Sequence, residues 1–274
     1  MSIPIAWVDA FSDVPFGGNP AGVCVLPADP DDPDRLTDAR MQSIAFELGI
    51  AETAFLTPTE DPAVFGLRWF SPTVEIDLCG HATLAAAHAL REAGRVDGAA
   101  TLTFHTRSGP LRASFDGDLI ALDFPADPPA SSPLPDSLAG QWAASDVVET
   151  GRSKFFLLVV LASSDAVGAY EPDLAAIAAT GANALLLSAA GGAGAGAGAD
   201  YVLRVFGPNV GIPEDPATGS AQCVAGPYWA ALLGRGELVA RQLSPRGAHF
   251  EVCPLADRVR IAGHATTVLT GNLC

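Results

Sequence analysis

Lysine is almost missing from this chain. Lys154 is its only example, and 15 basic residues face 31 acidic ones, giving a formal charge of -16 over 274 residues. A surface of that sign repels phosphate backbones and anionic bilayers, which excludes nucleic acid and a charged membrane face as default partners. Apolar runs of about 18 residues or more are missing as well, and the segment Met1 to Phe11 carries Asp9 but no basic stretch. The reading is a cytoplasmic chain with neither a membrane span nor a secretory signal. The motifs G-x-G-x-x-G, G-x-x-x-x-G-K, H-E-x-x-H and G-x-S-x-G do not occur, so dinucleotide, phosphate-loop, zinc-protease and serine-hydrolase chemistries lack their signatures. Five scattered cysteines (Cys24, Cys79, Cys223, Cys253, Cys274), without a C-x-x-C pair, suit reduced thiols rather than a disulfide framework or a metal centre.

What is present is apolar material, 49% of the residues, enough for two domains of ordinary size. Strands are expected at Ile3 to Phe11 and Ala21 to Leu26, joined by the Gly17-Gly18-Asn19-Pro20 turn and followed by an acidic, proline-bearing loop. Thr37 or Asp38 caps a helix to about Leu48 that Gly49 stops, and a strand runs from Ile50 to Leu56. Leu78 to Gly94 reads as a buried helix. Leu102 to Phe104, Leu111 to Phe115 and Leu119 to Phe124 read as an antiparallel meander, and Pro125 to Pro135 as a linker. The domains are therefore set at 1–125 and 126–274, with the last strand able to return to the first. In the second, strands at Phe155 to Leu161 and Ala184 to Ser188 flank a helix near Asp173 to Ala179. Gly191 to Ala199 is expected to be a mobile hairpin loop, since so many glycines offer nothing to pack.

Residues 68–76 and 204–212 share the pattern R-x-F-[SG]-P-x-V-x-I, 136 residues apart (204 minus 68). Both copies follow an apolar strand and precede a small-residue helix. Extended without a gap, the repeat sets Cys79 opposite Asp215, just ahead of helices beginning at Gly80 and Ala217. Helix starts concentrate unpaired N–H groups and positive potential, so Gly80, His81, Gly219 and Ser220 are candidates to hold a carboxylate or a developing enolate in a cleft between two related halves.

The segments Asn19-Pro20, Ala51-Glu52-Thr53, Cys79-Gly80-His81 and Glu214-Asp215-Pro216-Ala217-Thr218-Gly219-Ser220-Ala221 resemble the PhzF-like isomerases of the phenazine-biosynthesis type, in order and through nearly the whole chain. The resemblance implies the diaminopimelate-epimerase fold, an α+β architecture of two pseudo-symmetric domains, each a curved antiparallel or mixed, barrel-like sheet around a central helix. It also implies a catalytic set of Glu52 as acid/base, His81 and Asp215, with Gly80, Gly219 and Ser220 binding substrate, no cofactor, no metal, and a homodimer. Phenazine-producing members carry alanine where this chain has Cys79 and proline where it has Ala82. Epimerases of the same fold use cysteine at both helix entrances, and Asp215 at the second points away from a two-cysteine mechanism.

The residues also admit plainer roles. Glu52 shares a strand face with Ile50, Ala54 and Leu56, where loss of hydration would favour the protonated acid that a proton shuttle needs, but an edge-strand glutamate facing water fits the same spacing. Asp215 also suits a helix cap, and His81 a core histidine. Cys79 fits a site-lining thiol or a small buried hydrophobe. Asn19 fits substrate contact or a turn, and Arg246 a substrate anion or a neighbouring acid. The function expected is cofactor-independent proton movement between carbons of a small carboxylate-bearing substrate. The alternative is a non-enzymatic binding protein, for a small molecule or a protein, on the same fold.

Overall fold

The computed structural model describes residues 3–28, 36–98 and 101–273. The acidic loop expected before the first helix falls largely on 29–35, and Cys274 on the last position, both outside the described residues. The chain forms two compact units, Met1–Asp123 with Ala262–Cys274, and Phe124–Ile261.

Unit 1 runs β1 (Ile3–Ala10), β2 (Asn19–Val25), α1 (Asp38–Leu48), β3 (Glu52–Pro58), β4 (Val64–Phe70), β5 (Glu75–Ile76), α2 (Gly80–Glu92), β6 (Leu102–Thr106), β7 (Gly109–Asp116) and β8 (Leu119–Pro125). The Thr37 hydroxyl caps α1 by accepting from the Arg40 N–H, and Gly49 ends it in the left-handed region, where glycine carries no Cβ penalty. β1 and β2 pair antiparallel, β2 and β3 parallel, β3 and β4 antiparallel, β4 and β6 parallel. β6, β7 and β8 form the antiparallel meander. α2 packs on β1, β2 and β3 and buries Ala82, Leu84, Ala85, Ala86, Ala87 and Leu90 completely. Alanine lets the helix axis approach the sheet closely.

Unit 2 runs β9 (Ala130–Ser131), β10 (Val147–Arg152), β11 (Phe156–Leu161), α3 (Ser164–Gly168), α4 (Leu174–Ala179), β12 (Ala184–Ala190), β13 (Tyr201–Gly207), β14 (Ile212–Asp215), α5 (Gly219–Leu233), β15 (Leu238–Gln242), β16 (Ala248–Pro254) and β17 (Arg258–Gly263). Its pairings repeat those of unit 1. β10 and β11 are antiparallel, β11 and β12 parallel, β12 and β13 antiparallel, β13 and β15 parallel, β15 and β16 antiparallel. Each parallel pair needs a long crossover, and α1, α2, the α3–α4 pair and α5 supply the four. The final strand, β18 (Ala265–Leu273), belongs to unit 1 and pairs antiparallel with β1.

α5 contains Pro227, which has no N–H to offer the carbonyl four residues back. That carbonyl, on Cys223, accepts instead from the Asp127 N–H at 2.9 Å. The proline-rich stretch after β8 is thereby tied to the central helix of unit 2, and its β9 pairs with β10. Gly226 of α5 faces β16 so closely that a Cβ there would stand 2.7 Å from a Val252 methyl carbon.

Gly191 to Ala199 does join β12 to β13 as a hairpin, and the expectation that its glycines do not pack fails at Gly196. A short 3-10 turn at Gly194–Gly196 is closed by Gly192 N–H to Gly196 O and Ala199 N–H to Gly196 O, both 3.2 Å. The Asp165 carboxylate of α3 accepts from Ala195 N–H at 3.2 Å. Gly196 is buried, and a Cβ on it would meet the Ser164 Cβ at 3.0 Å. Here glycine is what permits the close approach rather than what prevents it.

The duplication extends to side chains. Arg68 forks onto Glu75 (Nε to Oε1 2.7 Å, Nη2 to Oε2 2.9 Å) and lies over the Phe70 ring. Arg204 forks onto Glu214 (2.8 and 3.0 Å) and lies over the Phe206 ring. The arginines are 136 residues apart, but the glutamates are 139 apart (214 minus 75), so unit 2 carries three extra residues between them. This corrects the ungapped extension of the repeat. Asp215 ends β14 rather than opening the helix, Thr218 is the N-cap of α5, and the structural partner of Cys79 is Thr218 (218 minus 79 is again 139). The extra residues enter between Arg204 and Glu214, where the 3-10 turn Pro208–Val210, ended by Gly211 in the left-handed region, leads into β14.

Candidate functional site

In unit 1, Glu52 opens β3 beside Ala21 of β2, while Cys79 is the N-cap of α2 and His81 its second residue. The central helix thus brings its first turn to the start of the strand. Glu52 Oε2 lies 3.1 Å from His81 Nε2, and Cys79 Sγ lies 3.6 Å from His81 Nδ1 and 4.0 Å from Nε2. All three residues are buried, between 7% and 8% exposed. Burial by itself disfavours the charged form of His81, but the adjoining Cys79 sulfur and the Glu52 carboxylate outweigh it and hold the histidine pKa well above its ordinary value. Burial pushes the Cys79 thiol up, with Glu52 adding to the effect and His81 opposing it. Glu52 and His81 thus form one buried, hydrogen-bonded pair with the Cys79 sulfur against the ring. Such a pair holds one proton between two groups able to deliver it.

Neither α2 nor α5 has an acid in its first turn. At α2 the Cys79 sulfur meets the Ala82 N–H, and at α5 the Asp215 carboxylate stands on the N-cap Thr218. Gly80, the first residue of α2, is half-buried; Asn19 is fully buried at the start of β2, opposite Ala10.

In unit 2 the Asp215 carboxylate accepts from the Thr218 hydroxyl at 2.6 Å. Gly219 is the first residue of α5 and buried, and Ser220 is exposed. The sequence reading missed the residue that fixes this turn. Gln242, at the end of β15 and 1% exposed, accepts from Thr218 N–H at 2.8 Å and donates to Asp215 O at 2.6 Å and to the Thr218 hydroxyl at 3.2 Å. Ser244 donates to Pro216 O at 2.7 Å. The signal was available: Leu238, Ala240 and Gln242 alternate on one buried face, and an amide at a core position needs partners. Arg246 sits in the turn that Gly247 N–H closes onto Ser244 O.

The structure therefore gathers Glu52, Cys79, His81 and Gly80 in unit 1, and Asp215, Gly219 and Ser220 in unit 2. Among the described residues no helix is long and apolar enough to cross a membrane.

The family profile described as "Phenazine biosynthesis-like protein" matches residues 8–271. An uncharacterized isomerase of Halalkalibacterium halodurans is 38% identical over all of this chain and 99% of its own length. A phenazine biosynthesis protein of the PhzF family from Enterococcus faecalis superposes with a TM-score of 0.91 at 36% identity, covering both chains completely. A predicted epimerase from Pseudomonas aeruginosa superposes with a TM-score of 0.71 at 28% identity, over 99% of each chain. The chain belongs to the phenazine biosynthesis-like (PhzF) family and is an isomerase with an α+β, epimerase-type fold.

Proposed function

We propose that this isomerase works without a cofactor, using Glu52 to remove a proton from a carbon acidified by conjugation and to return it elsewhere on the same small carboxylate-bearing substrate. The observation that carries the reading is the buried Glu52–His81 contact of 3.1 Å at the start of α2. Glu52 stands shielded from water where it can take a proton from carbon, and His81 beside it supplies a proton or a hydrogen bond to the substrate's polar end. The helix start at Gly80 suits the substrate carboxylate or the enolate that forms when the proton leaves. In this reading Asn19 and Cys79 contact the substrate beside Glu52, and Asp215, steadied by the Thr218 hydroxyl, with Gly219 and Ser220, is assigned to substrate binding in unit 2. A cytoplasmic homodimer is the form we assign it.

Deuterated water tests the proposal. The wild-type chain is incubated with a panel of small carboxylic acids bearing an activated C–H bond, and deuterium uptake into substrate and product is followed by NMR. The expected result is solvent deuterium at the carbon that receives the proton. A substrate that is isomerised with no solvent label, through many turnovers and in either direction, would count against a shuttle that exchanges with water.

A further inference from the structure

We propose that Glu52, Cys79 and His81 also form a binding site for one zinc-class divalent cation, and that its occupation switches the isomerase off. Neither the C-x-H spacing nor Glu52, 27 residues earlier (79 minus 52), announces such a site in sequence. The fold makes it, by setting the start of β3 against the first turn of α2. One carboxylate oxygen, one thiol sulfur and one imidazole nitrogen then all lie within 4.8 Å of one another. Around the His81 Nε2 atom the carboxylate stands at 3.1 Å and the sulfur at 4.0 Å. A tetrahedral zinc, with bonds of roughly 2.0 to 2.3 Å, spaces its ligand atoms about 3.3 to 3.6 Å apart. The carboxylate needs only a few tenths of an ångström, whereas the sulfur, nearer Nδ1 at 3.6 Å than Nε2, must swing to the Nε2 side by rotation of the Cys79 side chain.

The donor set selects the ion. Sulfur and nitrogen favour zinc and its neighbours over magnesium or calcium, which take oxygen. With Cys79 as thiolate and His81 as neutral imidazole, the protons of both passing to solvent, the two anionic ligands cancel the charge of the dication, so the buried site ends neutral. Three protein ligands leave a fourth position for water. A cation ligated by Glu52 takes that carboxylate out of proton transfer, which is why occupation inhibits. The inhibition rests on the proposed function; the site itself rests only on geometry.

Cobalt(II) is the probe. Full-length chain stripped with a chelator is titrated with cobalt and followed by absorption. The expected spectrum has a thiolate-to-cobalt charge-transfer band in the near ultraviolet and the strong visible bands of a four-coordinate ion, saturating at one equivalent and displaced by zinc. Cys79→Ser removes the charge-transfer band. Glu52→Gln and His81→Asn weaken zinc binding by more than the roughly 10- to 100-fold that loss of an outer-shell partner costs. Cys253→Ser leaves the spectrum unchanged. A six-coordinate cobalt spectrum, or an unchanged charge-transfer band in Cys79→Ser, overturns the site. Should a variant fail to fold, X-ray absorption of the zinc-loaded wild type decides, because a first shell without sulfur has the same force. No substrate enters these measurements, so the site and the isomerase mechanism fail separately.

Discussion

The Gln242→Leu variant keeps the bulk of a side chain that is 1% exposed and deletes its carboxamide. Three hydrogen bonds go with it: from the Thr218 N–H, to the Asp215 carbonyl and to the Thr218 hydroxyl. The hydroxyl keeps its short bond to the Asp215 carboxylate, so the cost falls on two backbone groups. A buried polar group stripped of its partner costs about 1 to 3 kcal/mol, and the variant should lose about that much, most of it at the buried Thr218 N–H. The loss belongs to unit 2, whose central helix this turn starts. Urea unfolding should show a lower midpoint with an unchanged slope for the transition containing unit 2, and hydrogen exchange of peptides spanning 215–222 should quicken. Gln242→Glu keeps an acceptor for the Thr218 N–H and should lose less. A Gln242→Leu midpoint equivalent to less than about 1 kcal/mol, below the cost of a single orphaned group, would refute the assignment of Gln242 as the clamp of the Asp215 turn.

Two further outcomes concern His81 and Arg204. The folded-state pKa of His81 is raised, so its contribution to stability is complete below its unfolded value near 6.5 and is lost as pH rises through the folded one; pH-dependent unfolding of wild type and His81→Gln should diverge below that folded pKa and converge above it. Arg204→Met leaves Glu214 without its fork and the carbonyls of Gly168 and Tyr170 without their donor, and breaking such a buried pair should cost about 3 to 5 kcal/mol in denaturant unfolding, with Arg204→Lys recovering part.

Much of the fold was legible because local chemistry and tertiary structure agree. The Thr37 cap and Gly49 stop of α1 appear where the sequence puts them, and an alanine-rich helix with little polar surface is the buried α2. The site was legible only in part. Alternation along β3 singled out Glu52, yet the strand is buried on both faces over its first five residues, so period-two spacing could not tell the site face from the core face. What distinguishes Glu52 is a charge in a strand with no exposed side, which obliges a partner; His81 is that partner, 29 positions away (81 minus 52). The repeat was legible through Arg68 and Arg204 but slipped by three residues before Glu214, where the 3-10 turn Pro208–Val210 lengthens the copy in unit 2. Gly191 to Ala199 was misread because composition speaks of entropy and not of the Asp165 carboxylate that captures the turn.

Glu52→Gln is the most direct test of the account. It preserves shape and a hydrogen bond toward His81 while removing the base. Measured with a substrate identified by solvent exchange, in a variant whose unfolding and zinc-free state match the wild type, the turnover rate should fall by about 100- to 10,000-fold, the usual worth of a positioned acid/base group. A rate within about tenfold of wild type would mean that the proton leaves carbon by way of some other residue.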